Sequence, residues 1–205
     1  MMQSCTLVYE TATWDSGLDG DLLIKIYQKD EEAFDDDEII MGKIRRVLAS
    51  AYKGETNNEK LLQLSTIPED TTHVLLAYDQ ENDERLVGCL TLRTIILNPK
   101  QKEEGFFFYL EMDKVAVMAD VKGMGVDAAM YKAVKDLIKT MDPQMHNGKK
   151  VSLRSSVAIN TGDDDFEMNK KFMQKQGFVF LGFEMSENDD DDATWTSKRV
   201  YGWNM

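Results

Sequence analysis

The sequence is poor in the residues that cross-link or interrupt a chain. Its 205 residues include two cysteines, Cys5 and Cys89, and three prolines. Two cysteines do not make the disulfide framework of small secreted domains, and Cys89 lies in an apolar run that favours a buried thiol. Because neither an internal repeat nor a linker is visible, we predict a single domain over residues 1–205, with its core at about 20–203.

Long apolar runs are also missing. No stretch approaches the roughly 18 apolar residues that a membrane helix needs, and residues 1–5 lack the basic and apolar segments of a signal peptide. Hydrophobic residues make up 42% and charged residues 30% of the chain, which is typical of a folded globular protein. We therefore expect a cytoplasmic protein that does not bind a membrane.

Basic charge is scarce, and the formal net charge is −13. Two runs hold acids and no base: Asp30–Glu38 with seven acids and Glu184–Asp192 with six, which together equal the whole imbalance. Without a basic stripe to meet phosphates, nucleic acid is excluded as a ligand. The runs could attract a cationic partner or could be solvated loops, and both interpretations stay open.

Apolar periodicity predicts an α/β chain with one mixed central sheet flanked by helices. Residues 40, 44, 47, 48 and 51 form one face of a helix that begins near Asp35, and the same spacing recurs from Val126 to Met141. A shorter helix is predicted at Asp165–Gln176, and Asp21–Lys29 is compatible with a strand or a helix. Strands are predicted at Leu7–Thr13, His73–Tyr78, Leu86–Leu97, Phe106–Met118, Val151–Ile159, Phe178–Met185 and Thr194–Trp203.

The most informative segment is Val115–Met130, V-A-V-M-A-D-V-K-G-M-G-V-D-A-A-M. An apolar strand stops at a glycine-rich turn, and an amphipathic helix begins at once. Such a joint gathers free backbone N–H groups at the positive end of a helix dipole, which suits a phosphate or diphosphate. Gly123 and Gly125 could instead serve only to make a tight strand-to-helix turn.

Three motifs in this order resemble the GNAT superfamily, the Gcn5-related N-acetyltransferases. Leu86-Val87-Gly88 is similar to the opening of the third strand of that family, and Val117–Met130 is similar to its acetyl-CoA loop. Phe172, with Gly177-Phe178, matches the end of its last core helix. The resemblance extends over nearly the whole chain from about residue 20 and implies a single-domain GNAT-like fold.

The resemblance implies acetyl-CoA as acetyl donor and assigns the residues that would bind it. The loop amides that cradle the diphosphate would belong to Lys122, Gly123, Met124, Gly125, Val126 and Asp127. The backbone of Val115, Ala116 and Val117 would pair with the pantetheine arm, and Asn160 is a further candidate. Lys122 stands where the family has Arg or Gln and still supplies a positive charge, and Asp127 stands where the family has Gly or Ala. The charge of Asp127 could oppose a diphosphate and lower the affinity, or its side chain could point away from the ligand, and both interpretations stay open.

Acetyl transfer to an amine requires a base that removes a proton from the amine. The resemblance places Glu111 in that position, acting through water, and Asp113 falls on the same strand face and could share the work. Either acid could equally lie on a wet sheet face. The family's tyrosine acid corresponds to Met173, which cannot donate a proton, so another donor, or water, would have to serve.

The resemblance places both acidic runs beside the acceptor groove, which favours a polyamine, a lysine side chain or a basic peptide as acceptor. We therefore predict an N-acetyltransferase that works by direct attack in a ternary complex. Two alternatives stay open: a CoA-binding sensor that has lost catalysis, and an acidic module that docks a protein partner. No metal site is predicted, and a homodimer stays open.

Overall fold

A computed structural model of the chain describes residues 5–7, 22–28, 38–53, 62, 66–80, 85–97, 107–140, 152–158, 166–187 and 195–203. The chain divides into two compact units. The first comprises Met1–Thr94 and Asp113–Asp136, and the second comprises Ile95–Met112 and Leu137–Met205. A single domain over the whole chain stays a prediction.

In the first unit the strands follow one another in chain order. The strands are β1 (Cys5–Leu7), β2 (Leu22–Gln28), β3 (Thr71–Asp79), β4 (Arg85–Leu97) as far as Thr94, and residues 113–117 of β5 (Phe107–Val117). The first four are antiparallel neighbours. The segment Asp21–Lys29 is a strand, because Leu22–Gln28 pairs along its whole length with β3. The predicted strand Leu7–Thr13 begins at Cys5, and residues 8–13 lie outside the described residues.

Helix α1 (Glu38–Ala51) packs its predicted apolar face on this sheet. Ile44, Val47 and Leu48 are buried in one core cluster with residues of β3 and with Cys89 of β4. Ile40 and Ala51 are partly buried against the same cluster. The spacing of apolar residues therefore predicts the face correctly, whereas Asp35, near which the helix is predicted to begin, lies outside the described part of the chain.

Helix α2 (Val126–Thr140) packs on the opposite face of β4. Cys89 belongs to the cluster around α1, while its neighbour Gly88 faces Val126 and Met130 of α2. Since successive strand residues point to opposite faces, the sheet lies between the two helices. A Cβ atom at Gly88 would lie 2.7 Å from Val126 Cγ1, so the glycine allows the helix to approach closely.

The second unit carries a mixed sheet. The order of its strands in space is residues 107–112 of β5, then β6 (Ser152–Ala158), β8 (Trp195–Trp203) and β7 (Val179–Glu187). Strands β5 and β6 are parallel from Tyr109↔Ser152 to Met112↔Ser155, whereas the β6–β8 and β7–β8 pairs are antiparallel. The parallel pair beside antiparallel ones confirms the predicted mixed sheet.

Helix α3 (Phe166–Lys175) confirms the short helix predicted in this unit, and its end explains the Gly-Phe motif. Gly177 has φ +79°, its N–H donates to Gln174 O at 2.9 Å, and the Phe178 N–H donates to Met173 O at 2.9 Å. These two bonds form a Schellman motif, which ends a helix at a left-handed glycine. Among the described helices of the chain, none is long and apolar enough to cross a membrane.

Candidate functional site

The segment Val115–Met130 forms the strand–turn–helix joint that its sequence predicts. The chain leaves β5 at Val117, makes a 3-10 turn at Ala119–Val121 and enters α2 at Val126. The first unit contains all of it. The turn therefore brings together Lys122, Gly123, Met124, Gly125, Val126 and Asp127, the six predicted cradle residues.

Both glycines of the turn have a left-handed backbone, with φ +82° at Gly123 and φ +86° at Gly125. That conformation is strained for other residues, which explains glycine at both places. A Cβ at Gly123 would meet no atom within 4 Å, so the backbone angle, and not crowding, requires this glycine. No atom of the described residues crowds the turn at that point.

The backbone N–H groups of the turn divide into two sets. Val121 N–H donates to Met118 O at 3.1 Å, and Met124 N–H donates to Val121 O at 3.2 Å, which closes the turn. The remaining set has no acceptor among the residues that the structure describes, and it comprises the amides of Gly123, Gly125, Val126 and Asp127. Unsatisfied amides beside a helix N-terminus form a concave site for an anion.

Contacts from distant parts of the first unit hold the turn in place. Arg85 donates to the Asp120 carboxylate at 2.7 Å, and this bond holds the pKa of Asp120 below its usual value. The Ala119 N–H donates to Ser50 Oγ of α1 at 3.1 Å. Sequence reasoning did not identify Arg85 or Ser50, because their partners lie 35 and 69 residues away.

Asp127, the residue that departs from the family pattern, turns its carboxylate onto the helix. Its Oδ1 accepts the Ala128 N–H at 2.8 Å. The side chain is partly buried, whereas Lys122, the predicted cation of the loop, is exposed. One of the first amides of α2 is therefore already satisfied by an acid of the chain itself.

The predicted pantetheine-pairing residues are the last three of β5. Ala116 is buried in the core cluster around α1, and the side chains of Val115 and Val117 are partly buried. They follow the residues of β5 that pair with β6. The structure thus places Val115, Ala116 and Val117 directly before the turn, and their pairing with a ligand stays a prediction.

The two candidate bases differ in their surroundings. Glu111 is 1% exposed, although it is a carboxylate, and Asp113 is exposed. A carboxylate so deeply buried must be hydrogen-bonded or functional to be tolerated, and Glu111 does have interaction partners in the structure. The structure gives Glu111 and Asp113 different environments, and their catalytic role stays a prediction.

Titratable side chains near Asp113 influence one another. Burial raises the pKa of the Cys89 thiol to about 12, which makes Cys89 the inert buried thiol that the sequence predicts. Burial, and then the charge of Asp113, raises the pKa of the Tyr52 phenol. Burial lowers the pKa of Lys114, against the opposing effect of Asp113, and Lys114 Nζ donates to Thr66 O at 2.6 Å.

Other predicted features belong to the second unit or lie outside the described residues. Met173, at the position of the family's tyrosine, is 2% exposed and is a core residue of its unit. Asn160 lies outside the described residues, as do residues 30–37 and 188–192 of the acidic runs. Nothing in the structure therefore tests Asn160 or the acidic runs as ligand contacts.

The fold can be compared with known proteins. Neither a scan against protein-family models nor a search of curated proteins found a match to this sequence. NAA60 of Arabidopsis thaliana in complex with acetyl-CoA matches the structure with a TM-score of 0.54 and 9% identity, over 89% of this chain and 99% of that one. The chain has the GNAT fold.

A second match has the same GNAT fold and a similar extent. It is a protein of Desulfovibrio desulfuricans assigned to the GNAT family of acetyltransferases, with a TM-score of 0.52 and 13% identity, over 89% of this chain and 98% of that one. NAA60 in complex with a bisubstrate analogue matches with a TM-score of 0.54 and 10% identity, over 88% and 99% of the two chains. The fold implied by the three sequence motifs is thus confirmed.

Proposed function

We propose that this chain is an acetyl-CoA-dependent N-acetyltransferase that acts on an amine. The observation that carries the proposal is the turn between β5 and α2. Four of its amides have no acceptor among the described residues, and two of its glycines have positive φ. Such a turn can bind a diphosphate through the main chain. A GNAT-fold protein, Arabidopsis NAA60, has been crystallised in complex with acetyl-CoA, which supports this choice of ligand.

Different residues of the chain would bind the cofactor and accept the proton during acetyl transfer. Acetyl-CoA, when bound, would supply an acetyl group activated as a thioester. The amides of Gly123, Gly125, Val126 and Asp127 would bind the diphosphate, and the backbone of Val115, Ala116 and Val117 would align the pantetheine arm. Glu111 would accept the proton of the amine through a water molecule, since only the free amine attacks a thioester. No step of this proposal requires a covalent enzyme intermediate.

Calorimetry with acetyl-CoA is the experiment that tests the cofactor. We expect saturable binding that competes with CoA. If neither ligand produced a measurable binding heat at millimolar concentration, the enzyme and the sensor interpretations would both be wrong. The acidic docking module would then be the interpretation to pursue.

The same proposal includes the chemical class of the acceptor amine. A cationic acceptor, such as a polyamine, a lysine side chain or a basic peptide, is favoured by the thirteen acids in Asp30–Glu38 and Glu184–Asp192. A thiol-release assay over these three classes identifies it. Replacing Asp189, Asp190, Asp191 and Asp192 with asparagine is expected to raise KM for the cationic acceptor several-fold at low salt and much less at high salt. An unchanged KM at low salt contradicts the cationic-acceptor proposal.

The cytoplasmic location expected from the sequence is also part of the proposal.

Glu111→Gln tests the proposed base. The substitution keeps the shape of the buried side chain and removes its basicity, so we expect kcat to fall by about 10²-fold or more, in the usual range for a general base. The affinity for acetyl-CoA, measured by calorimetry, is expected to stay unchanged and thereby shows that the fold is intact. Asp113→Asn is the comparison variant, since Asp113 is two residues away and exposed.

The outcomes separate the two carboxylates. If Asp113→Asn abolished turnover and Glu111→Gln did not, Asp113 would be the base. If both variants kept full activity, the proposed proton transfer would have no support.

A CoA-binding sensor is the second candidate, because Met173 is a buried core residue at the family's tyrosine position. Binding of acetyl-CoA without thiol release over the whole acceptor panel would favour the sensor over the enzyme. A methionine at that place removes a proton donor and leaves the binding turn untouched.

A further inference from the structure

We propose that Asp127 limits the affinity of the turn for phosphate-bearing ligands, so that the chain binds acetyl-CoA only when the ligand is abundant. The inference rests on the proposed function, since it concerns the same turn. It differs from that proposal in assigning a restraining role to a residue of the chain that contacts the helix amides directly.

The Asp127 carboxylate binds a backbone amide at the start of α2. Its Oδ1 takes the Ala128 N–H at 2.8 Å, while the amides of Val126 and Asp127 have no acceptor among the described residues. Ala129 N–H donates to Gly125 O at 3.0 Å, within the first turn of α2. Of the four amides that begin this helix, the carboxylate thus occupies one and lies beside the two that remain.

Asp127 and Asp120 differ in whether a cationic side chain pairs with them. Both acids belong to the same turn, but Asp120 is paired with Arg85 at 2.7 Å. In the described part of the chain no Lys or Arg forms an ion pair with Asp127. A phosphate bound at the helix start would therefore meet the charge of Asp127 while no described Lys or Arg is ion-paired with that carboxylate.

The consequence follows from elementary electrostatics. A helix N-terminus stabilises one nearby anion, and Asp127 already supplies it. A diphosphate at the same amides would meet a like charge at short range, and that repulsion weakens binding most at low ionic strength. The affinity of the turn for a ligand without phosphates is not subject to this repulsion.

Calorimetry with two ligands tests the proposal. The ligands are acetyl-CoA and S-acetylpantetheine, which has the same thioester arm and no diphosphate. The variants are Asp127→Asn, which removes the charge and keeps an oxygen acceptor for Ala128, and Asp127→Ala, which removes both. Glu69→Gln is the matched control, because Glu69 is an exposed acid of the same unit that lies outside the turn and outside both acidic runs.

We expect Asp127→Asn to bind acetyl-CoA about fivefold more tightly than the wild-type chain at low salt, and Asp127→Ala about tenfold more tightly. The gain is expected to shrink at high salt. Glu69→Gln is expected to change the affinity for acetyl-CoA less than twofold, and all chains are expected to bind S-acetylpantetheine equally. Thermal unfolding of each variant checks that the fold is retained.

Two results would overturn the inference while leaving the proposed function intact. One is equal or weaker binding of acetyl-CoA by Asp127→Asn. The other is an equal gain for both ligands, which would show that Asp127 acts on the fold and not on the diphosphate. If the wild-type chain and every variant failed to bind acetyl-CoA, the proposed function itself would be wrong, and this inference with it.

Discussion

Substitutions at Gly123 and Gly42 measure the effect of backbone strain without steric crowding. Gly123 has φ +82°, Gly42 lies inside α1, and a Cβ at either position would meet no atom within 4 Å. Gly123→Ala is therefore expected to lower the free energy of unfolding by about 1–2 kcal/mol, the cost of a left-handed conformation with a side chain. Gly42→Ala is expected to raise it by roughly 0.5–1 kcal/mol, the helix-propensity difference. Urea unfolding at equilibrium measures both.

The opposite signs make the pair informative. If Gly123→Ala were as stable as the wild-type chain, the backbone at this position would be free to leave the left-handed region. The turn would then not be preformed, and its free amides would not be fixed for a ligand.

Single residues also show what could be predicted about the site. Gly123 and Gly125 are visible in the sequence because a strand pattern, a glycine pair and a helical pattern follow one another. The direction of the Asp127 side chain is not visible, since an aspartate in a first helical turn can point to solvent, to a ligand or to its own helix. The structure shows that Asp127 binds the Ala128 amide.

The packing of α2 on β4 depends on Gly88. A Cβ there would lie 2.7 Å from Val126 Cγ1 and 3.1 Å from Met130 Cε. Methionine can move its end group, but valine in a helix has one strongly preferred rotamer. Gly88→Ala is therefore expected to destabilise the chain by about 1–3 kcal/mol through overpacking, as measured by urea unfolding.

Shortening the Val126 side chain, which lies nearest to the new Cβ, should restore part of the lost stability. Because Val126→Ala removes the atom nearest to the new Cβ, the double variant Gly88→Ala/Val126→Ala is expected to be more stable than the sum of the two single changes predicts. Strict additivity would mean that the helix, and not the valine, moves to accommodate the methyl group.

Helices and strands were predictable where the pattern is local. The faces of α1 and α2 follow from apolar spacing, and Ile44, Val47 and Leu48 are buried as predicted. The segment Leu22–Gln28 could not be assigned, because its pairing with β3 decides its conformation and that partner lies about fifty residues away. The Arg85–Asp120 and Ser50–Ala119 bonds are non-local in the same way.

The pH dependence of folding reflects a histidine of β3. Burial lowers the pKa of His73 below the usual 6.5, and its Nδ1 lies 3.1 Å from Thr72 Oγ1. The unfolded chain then binds a proton more readily than the folded one, so this contribution to stability is complete above about pH 6.5 and falls as the pH drops towards the lowered pKa. We expect His73→Gln to remove a slope of at most about 1.4 kcal/mol per pH unit from the free energy of unfolding below pH 6.5.

His146→Gln is the comparison variant, because the chain has two histidines and His146 lies outside the described residues. Urea unfolding between pH 5 and pH 8 measures each slope. If the two variants lost the same slope, or if His73→Gln lost none, burial of His73 would not be the cause. The acids of the chain add their own slope to all three proteins, and it cancels in the difference.

The turn between β5 and α2 would bind its ligand through main-chain N–H groups, and this affects how much the sequence of the turn can change. Peptide N–H groups are common to every residue except proline, so most substitutions leave the binding groups in place. Only the left-handed positions, Gly123 and Gly125, are restricted in residue type. Under the proposed function, substitutions at the other positions of the turn would therefore change its side chains and keep the N–H groups that bind the diphosphate.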